Sequence, residues 1–175
     1  MSKVRAFIAI EIPDEIRNKI GELQSSLKKI GGRVSWSKPE NIHLTLKFLG
    51  DTDENLIDEI ASQLKESAAS IKPIQISIRT VGTFPNFKNP RVIWVGAESE
   101  QNRVRELAAK IEAGVEWFGF KKENRPFSAH LTLGRVKDVK GIQPVMDKLK
   151  AYENFEAGSF LATEFLIIKS ELNPA

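Results

Sequence analysis

The sequence predicts an α+β fold of two similar lobes, each an antiparallel sheet with helices outside, with a central cleft between them. Three observations carry that prediction. Short strand-like runs are interleaved with amphipathic helical runs. The order of these elements repeats along the chain. The tetrapeptide His-Leu-Thr-Leu occurs twice, beginning at residues 43 and 130. Helices packed outside antiparallel sheets are the layer solution that such a pattern favours. A single parallel α/β sheet is the competing class, because strands alternate with helices there too. Neither common type of glycine-rich phosphate loop is present to support nucleotide binding on such a sheet.

Taken in order, residues 4–12 form a short apolar run rich in β-branched and aromatic side chains, which predicts a strand. Pro13 then stands where a helix begins, with Asp14 and Glu15 in its first turn. Ile16, Ile20, Leu23, Leu27 and Ile30 follow at helical spacing, and Gly31-Gly32 ends the run. Residues 41–50 alternate as a strand. Asp51 with Glu54 reads as the cap of a second helix marked by Leu56, Ile57, Ile60, Leu64, Ala68 and Ile71. Ile74, Ile76 and Ile78 alternate as a third strand, and residues 82–90 read as a loop rich in Gly, Pro and Asn. Residues 91–97 predict a buried strand, and Ser99 a helix N-cap before Val104, Leu107, Ala108 and Ile111. Residues 127–135 alternate again, a weaker helix covers 143–150, and a final strand covers 160–168.

Each half thus reads strand, helix, histidine-bearing strand, helix, strand. Arg5-Ala-Phe-Ile-Ala-Ile and Arg91-Val-Ile-Trp-Val-Gly begin 86 residues apart, and the two histidines lie 87 apart. The near agreement predicts an internal repeat, approximately 4–81 and 90–169, making 1–175 one two-lobed domain.

Composition narrows the chemistry. Hydrophobic residues make up 41% of the chain, including ten Phe and three Trp, enough for a core and against global disorder. No apolar run approaches the roughly 18–20 residues needed to span a bilayer. Met1-Ser2-Lys3-Val4-Arg5 leads straight into the first strand, without the length or cleavage site of a signal peptide. The absence of cysteine excludes disulfides, thiolate metal sites and cysteine nucleophiles, and fits a cytoplasmic protein. A net charge of +3 permits an anionic substrate without requiring one.

The chain has two histidines, and both open the same tetrapeptide. Chance recurrence of Leu-Thr-Leu behind a second histidine has odds of roughly one in a few thousand at ordinary residue frequencies. On a strand, His43 and Thr45 point one way and Leu44 and Leu46 the other; His130 and Thr132 are likewise opposed to Leu131 and Leu133. Two such faces meeting across a cleft would carry two imidazoles and two hydroxyls. Imidazole gives or takes a proton near neutral pH. Phosphodiester cleavage without a metal needs a base for the nucleophile and an acid for the leaving oxygen. The threonine hydroxyls can donate to non-bridging phosphate oxygens. With no third histidine and no cysteine, a zinc site is disfavoured. A lone histidine on such a strand is ordinarily structural, and a repeat can copy a harmless surface strand; it is the retention of both His and both Thr that favours chemistry.

The segments Asn41-Ile-His43-Leu-Thr45-Leu-Lys47-Phe48-Leu-Gly50 and Phe127-Ser-Ala-His130-Leu-Thr132-Leu-Gly134-Arg135 closely resemble the two hallmark motifs of the two-histidine phosphoesterases. Within that group the chain resembles the archaeal and bacterial RNA 2′,3′-cyclic phosphodiesterases, also called 2′-5′ RNA ligases. Arg5-Ala-Phe-Ile-Ala-Ile, Pro90-Arg91-Val-Ile-Trp-Val-Gly96 and Lys169-Ser-Glu-Leu172 share in the likeness, which covers almost the whole chain. The resemblance implies a bilobal fold with one motif from each lobe. It implies hydrolysis of a terminal RNA 2′,3′-cyclic phosphate to a 2′-phosphomonoester, with His43 as proton donor and His130 as proton acceptor. No cofactor or metal is implied. The implied partners are RNA ends bearing 2′,3′-cyclic phosphate, tRNA fragments among them, acted on by a monomer, with 2′-5′ ligation of RNA ends as an associated activity. A non-catalytic RNA-end binding module is the alternative. Ala129 stands where many members carry proline, a departure expected to matter little; the chain closes at Pro174-Ala175 where members continue into a further short segment, and this is expected to weaken the last strand or leave the cleft less enclosed.

Further candidates follow from position. Arg135, behind Gly134, is expected either to reach the phosphate as a bidentate donor or to be a solvated strand-end arginine. Lys47 falls on the His43 face by simple alternation. Phe48 and Phe127 are expected in the core, with base stacking as the alternative. Trp36, Trp94 and Trp117 are expected in the core or at its rim, and Arg5 and Arg91 either line the cleft or pair with acidic neighbours.

Overall fold

The computed structural model describes residues 2–170. The end of the chain, including Glu171 and Leu172 of the last motif and Pro174-Ala175, lies outside the described residues. Eight strands and four α-helices follow one another: β1 (Lys3–Ile10), α1 (Asp14–Lys28), β2 (Arg33–Trp36), β3 (Leu44–Asp53), α2 (Ile57–Ser67), β4 (Ile74–Phe84), β5 (Val92–Ser99), α3 (Arg103–Glu116), β6 (His130–Asp138), α4 (Gln143–Lys150), β7 (Glu156–Ala162) and β8 (Leu166–Ser170). They build two antiparallel sheets, one of three strands in the order β3-β1-β8 and one of five in the order β2-β6-β5-β4-β7. The α+β class is therefore correct.

Helix α1 shows why the local pattern was readable. Pro13 is extended at its N-cap, Asp14 and Glu15 occupy its first turn, and Ile16, Ile20, Leu23 and Leu27 are buried. Burying each such side chain is worth roughly 1.5–3 kcal/mol. The helix stops at Lys28, and Gly31 and Gly32 take positive φ, so Ile30 falls outside the buried stripe and is exposed. The cap of the second helical segment is Asp53 rather than Asp51: its carboxylate accepts the Asn55 N–H at 3.0 Å, opening a 3-10 turn (Glu54–Leu56) that leads into α2. Helix α2 ends at Ser67, short of Ile71. Ser99 stands before a 3-10 turn (Glu100–Asn102), and the N-cap position of the third helix is Asn102, but the Ser99 hydroxyl accepts the Val104 N–H of that helix's first turn at 3.1 Å.

Two larger differences concern strands. The segment expected as one last strand is two, β7 and β8, which join different sheets; the intervening Thr163-Glu164-Phe165 contains neither Gly nor Pro to mark the break. Strand β4 runs on through Gly82-Thr83-Phe84, where the composition predicts a loop. As a result the halves of the chain are not the two sheets. Strands β2 and β4 of the first half lie in the five-stranded sheet, and β8 of the second half pairs with β1. The orders β3-β1-β8 and β6-β5-β4 correspond: a motif strand, a central opening strand, then a strand lent by the other half. One buried hydrophobic cluster includes side chains from both sheets, among them Ile8 and Leu44 of one and Ile93 and Leu131 of the other.

Candidate active site

His43 and His130 are held alike. The carbonyl oxygen of Asn41 lies 3.0 Å from Nδ1 of His43, and that of Ser128 lies 2.7 Å from Nδ1 of His130. A carbonyl can only accept, so each Nδ1 carries the hydrogen and each Nε2 keeps its lone pair in the neutral ring. In both cases the accepting carbonyl is two residues back. Each imidazole also meets a phenylalanine edge-on: Phe7 at 5.7 Å from His43, Phe84 at 5.0 Å from His130. Phe84 leans on Trp94 at 5.1 Å, and Trp94 lies against the backbone of Gly82, where an added Cβ would collide with the indole ring.

The surroundings are not identical. Burial lowers the pKa of both histidines by disfavouring the imidazolium, and the backbone carbonyl opposes this in each. At His43 the Arg17 guanidinium lowers it further while Glu11 raises it; the Glu11 Oε1 lies 3.9 Å from Nε2. At His130 the charged influence is Arg135, which lowers it. Arg17 also donates to the carbonyl of Ile42 at 3.2 Å, bracing the backbone beside His43.

β-Bulges decide what else shares these faces. In the β1–β3 ladder Ala9 pairs with Thr45 and Ile8 with Lys47, so Leu46 is an extra residue. In the β5–β6 ladder Trp94 pairs with Thr132 and Ile93 with Gly134, so Leu133 is extra. Each bulge inverts the alternation beyond it. Thr45 and Thr132 stay on the histidine faces, as expected. Arg135, opposite Val92, comes onto the face of Trp94 and Thr132, where strict alternation would have put Gly134. Phe48, opposite Phe7, comes onto the His43 face. It is 64% exposed and its ring lies 6.1 Å from that of Phe7, so it is not a core residue. The sites correspond as His43, Thr45, Phe48 and His130, Thr132, Arg135.

The same bulge removes Lys47 from the His43 face. It is buried, donating to the Glu112 carboxylate at 3.0 Å and to the carbonyl of Lys121 at 2.7 Å. Phe127, Trp36 and Trp94 are half-buried, but Trp117 is 86% exposed and belongs to neither core nor rim. Arg5 stands opposite Asp51 in the β1–β3 register; Arg91 is exposed just before β5. Phe7, Phe84, Glu11 and Arg17 also neighbour the imidazoles, and neither motif announces them. Phe7 was legible from alternation in β1, whereas Phe84 lies among residues whose composition reads as loop. Strands β3 and β6 approach within 8 Å, backbone to backbone, where the sheets meet. Among the described residues no group of three His, Asp or Glu side chains could hold a metal ion, and no helix is long and apolar enough to cross a membrane.

Comparison with known proteins shows the family and the fold. A family model described as LigT like Phosphoesterase matches residues 10–94 and again 95–175. The RNA 2′,3′-cyclic phosphodiesterase of Methanocaldococcus jannaschii is 37% identical over 98% of this chain and 94% of its own. That of Methanothermobacter thermautotrophicus is 34% identical over 99% and 93%. The crystal structure of TT0787 of Thermus thermophilus superposes with a TM-score of 0.78 at 28% identity, covering 97% of this chain and 90% of that one. Escherichia coli LigT complexed with 3′-AMP shares the fold, with a TM-score of 0.75 at 24% identity over 99% and 91%. A motif pair on corresponding strands, the two-sheet fold and full-length similarity converge: the chain belongs to the LigT-like phosphoesterase family.

Proposed function

We propose that this phosphoesterase opens terminal RNA 2′,3′-cyclic phosphates, leaving a 2′-phosphomonoester, and that His43 and His130 move the protons. The observation that carries this reading is the matched tethering of the two rings. Each Nδ1–H is occupied by a backbone carbonyl, so each Nε2 is the atom available to a substrate. In the proposed arrangement the rings flank one phosphate in a cleft between the sheets. His130, beside Arg135 and held neutral by burial, accepts the proton of the attacking water. His43, with the Glu11 carboxylate near Nε2, gives its proton to the departing ribose 3′ oxygen. Thr45 and Thr132 donate to the non-bridging oxygens, and Arg135 adds a planar cationic donor. A 5′-hydroxyl of a second RNA in place of water gives a 2′-5′ linkage through the same steps. The two successive matches to one family model, at 10–94 and 95–175, support the repeat as the origin of the paired motif. A cytoplasmic monomer acting on RNA ends, tRNA fragments included, completes the proposal.

The test is a short RNA ending in 2′,3′-cyclic phosphate, incubated with the protein and mapped for product. The expected product is the 2′-phosphomonoester, with turnover lost in His43→Ala and His130→Ala. Tight binding without turnover would identify an RNA-end binding module instead, and a 3′-phosphate product would reverse the assignment of the leaving oxygen.

A further inference from the structure

Gln24 is a buried polar side chain that the proposed chemistry does not use. It projects from α1 and is 6% exposed. Its Nε2 donates to the carbonyl of Ser37 at 2.8 Å and to that of Leu133 at 2.9 Å. The Leu133 carbonyl also accepts the Ser37 N–H at 2.9 Å. One amide thus closes a knot between three segments far apart in the chain. Two of them lead to the histidine motifs. Leu133 is the bulged residue of β6, the one that brings Arg135 onto the histidine face. Ser37 follows β2, and from it the chain runs through the 3-10 turn Pro39–Asn41 to His43, whose Nδ1–H is tied to Asn41.

The energetics favour a specific role over filler. A bulge leaves a ladder locally broken, and its carbonyl needs a partner outside the strand pair. Here the β2 edge and the Gln24 amide both supply one. An apolar side chain of equal volume would pack as well but would leave buried carbonyls underpaired. We propose that Gln24 is a positioning residue of the phosphoesterase centre: its amide locks the Leu133 bulge that presents Arg135 beside His130, and fixes the approach of the His43 segment to it. This rests on the reading of the two histidines as the centre.

The test uses Gln24→Met, similar in length and unable to donate, together with Arg135→Gln and the double variant. The two imidazole C2 protons are followed by NMR titration, and kcat/KM is measured on a cyclic-phosphate RNA end. Arg135 is the charged side chain that depresses His130. If Gln24 locks the bulge, the His130 midpoint rises in Gln24→Met towards its value in Arg135→Gln, and the double variant shows no further rise. Catalytic efficiency falls by about 10–100-fold, as for a misplaced group, and Gln24→Met adds little to Arg135→Gln. If Gln24→Met lowers the melting temperature yet His130 titrates and turns over as in the parent, the positioning role is overturned and Gln24 is packing alone. Should Gln24→Met fail to fold, Gln24→Asn, which draws the amide back by one methylene, is read by the same criteria. Activity surviving His43→Ala and His130→Ala would sink the acid–base reading while leaving the titration result intact, so the two failures are distinguishable.

Discussion

At His43 and His130 a single backbone carbonyl fixes which ring nitrogen carries the hydrogen. If Thr45 and Thr132 donate to the phosphate, Thr45→Ala and Thr132→Ala should each lower kcat on the order of 10²–10³-fold, as loss of one oxyanion donor does, with little change in melting temperature because both side chains are only partly buried. Near-parental kcat in both would return the threonines to a structural role. At this scale the sequence was informative where strand parity held and misleading where it broke. Thr45, His130 and Thr132 obeyed simple alternation, and His43, one residue before β3, reaches the same face, where its ring meets that of Phe7. Lys47 and Phe48 exchanged faces because Leu46 is an extra residue that no composition signal announces. Glu11, Arg17 and Gln24 reach the motifs from elsewhere in the fold, and single-strand periodicity carries no information about such contacts.

The elements that matter most are the two bulged motif strands and the short β2 that braces one of them. Gly134 pairs with Trp36, and a Cβ there would sit 2.9 Å from Val34 Cγ1, 3.0 Å from Trp36 Cε3 and 3.2 Å from the carbonyl of Ser35. The carbonyl is backbone and cannot swing aside. Gly134→Ala should therefore cost about 1–3 kcal/mol through overpacking, seen as a lower denaturant midpoint with an unchanged slope. A midpoint equal to the parent's would mean that β2 is looser against β6 than the structure shows. Helices were the most legible elements, since α1 and α3 bury long stripes at helical spacing. Strand β2, with four residues, was too short to rise above background, and the β7–β8 break had no turn residue to betray it.

Across the whole molecule, strand exchange couples the sheets: β4 and β8 each pair with strands of the other half, over a shared core. The class was visible in the repeated order of elements, but which strand joins which sheet depends on long-range pairing that local patterns do not encode. The two histidines also give stability an expected pH dependence. Both histidines titrate below 6.5 in the folded chain, burial being the largest cause, whereas an unfolded histidine titrates near 6.5. Between the folded values and 6.5 the unfolded chain holds more protons, so stability rises with pH through that window and levels off above it. The melting temperature should be higher at pH 7.5 than at pH 5.5, and the double variant His43→Asn, His130→Asn should show a smaller difference; an equal difference would place the titrating groups elsewhere. The central claim, that two imidazoles from two sheets divide the proton work on one phosphate, is tested most directly by changing the leaving group. A ribose alkoxide needs a proton as its P–O bond breaks, whereas a nitrophenolate scarcely does. On a nucleoside phosphodiester with a nitrophenyl leaving group, His43→Ala should recover most of the parent's activity and His130→Ala should not, because water must still be deprotonated. Recovery in His130→Ala alone would reverse the two roles, and recovery in neither, with binding of the analogue verified, would contradict acid–base division between the pair.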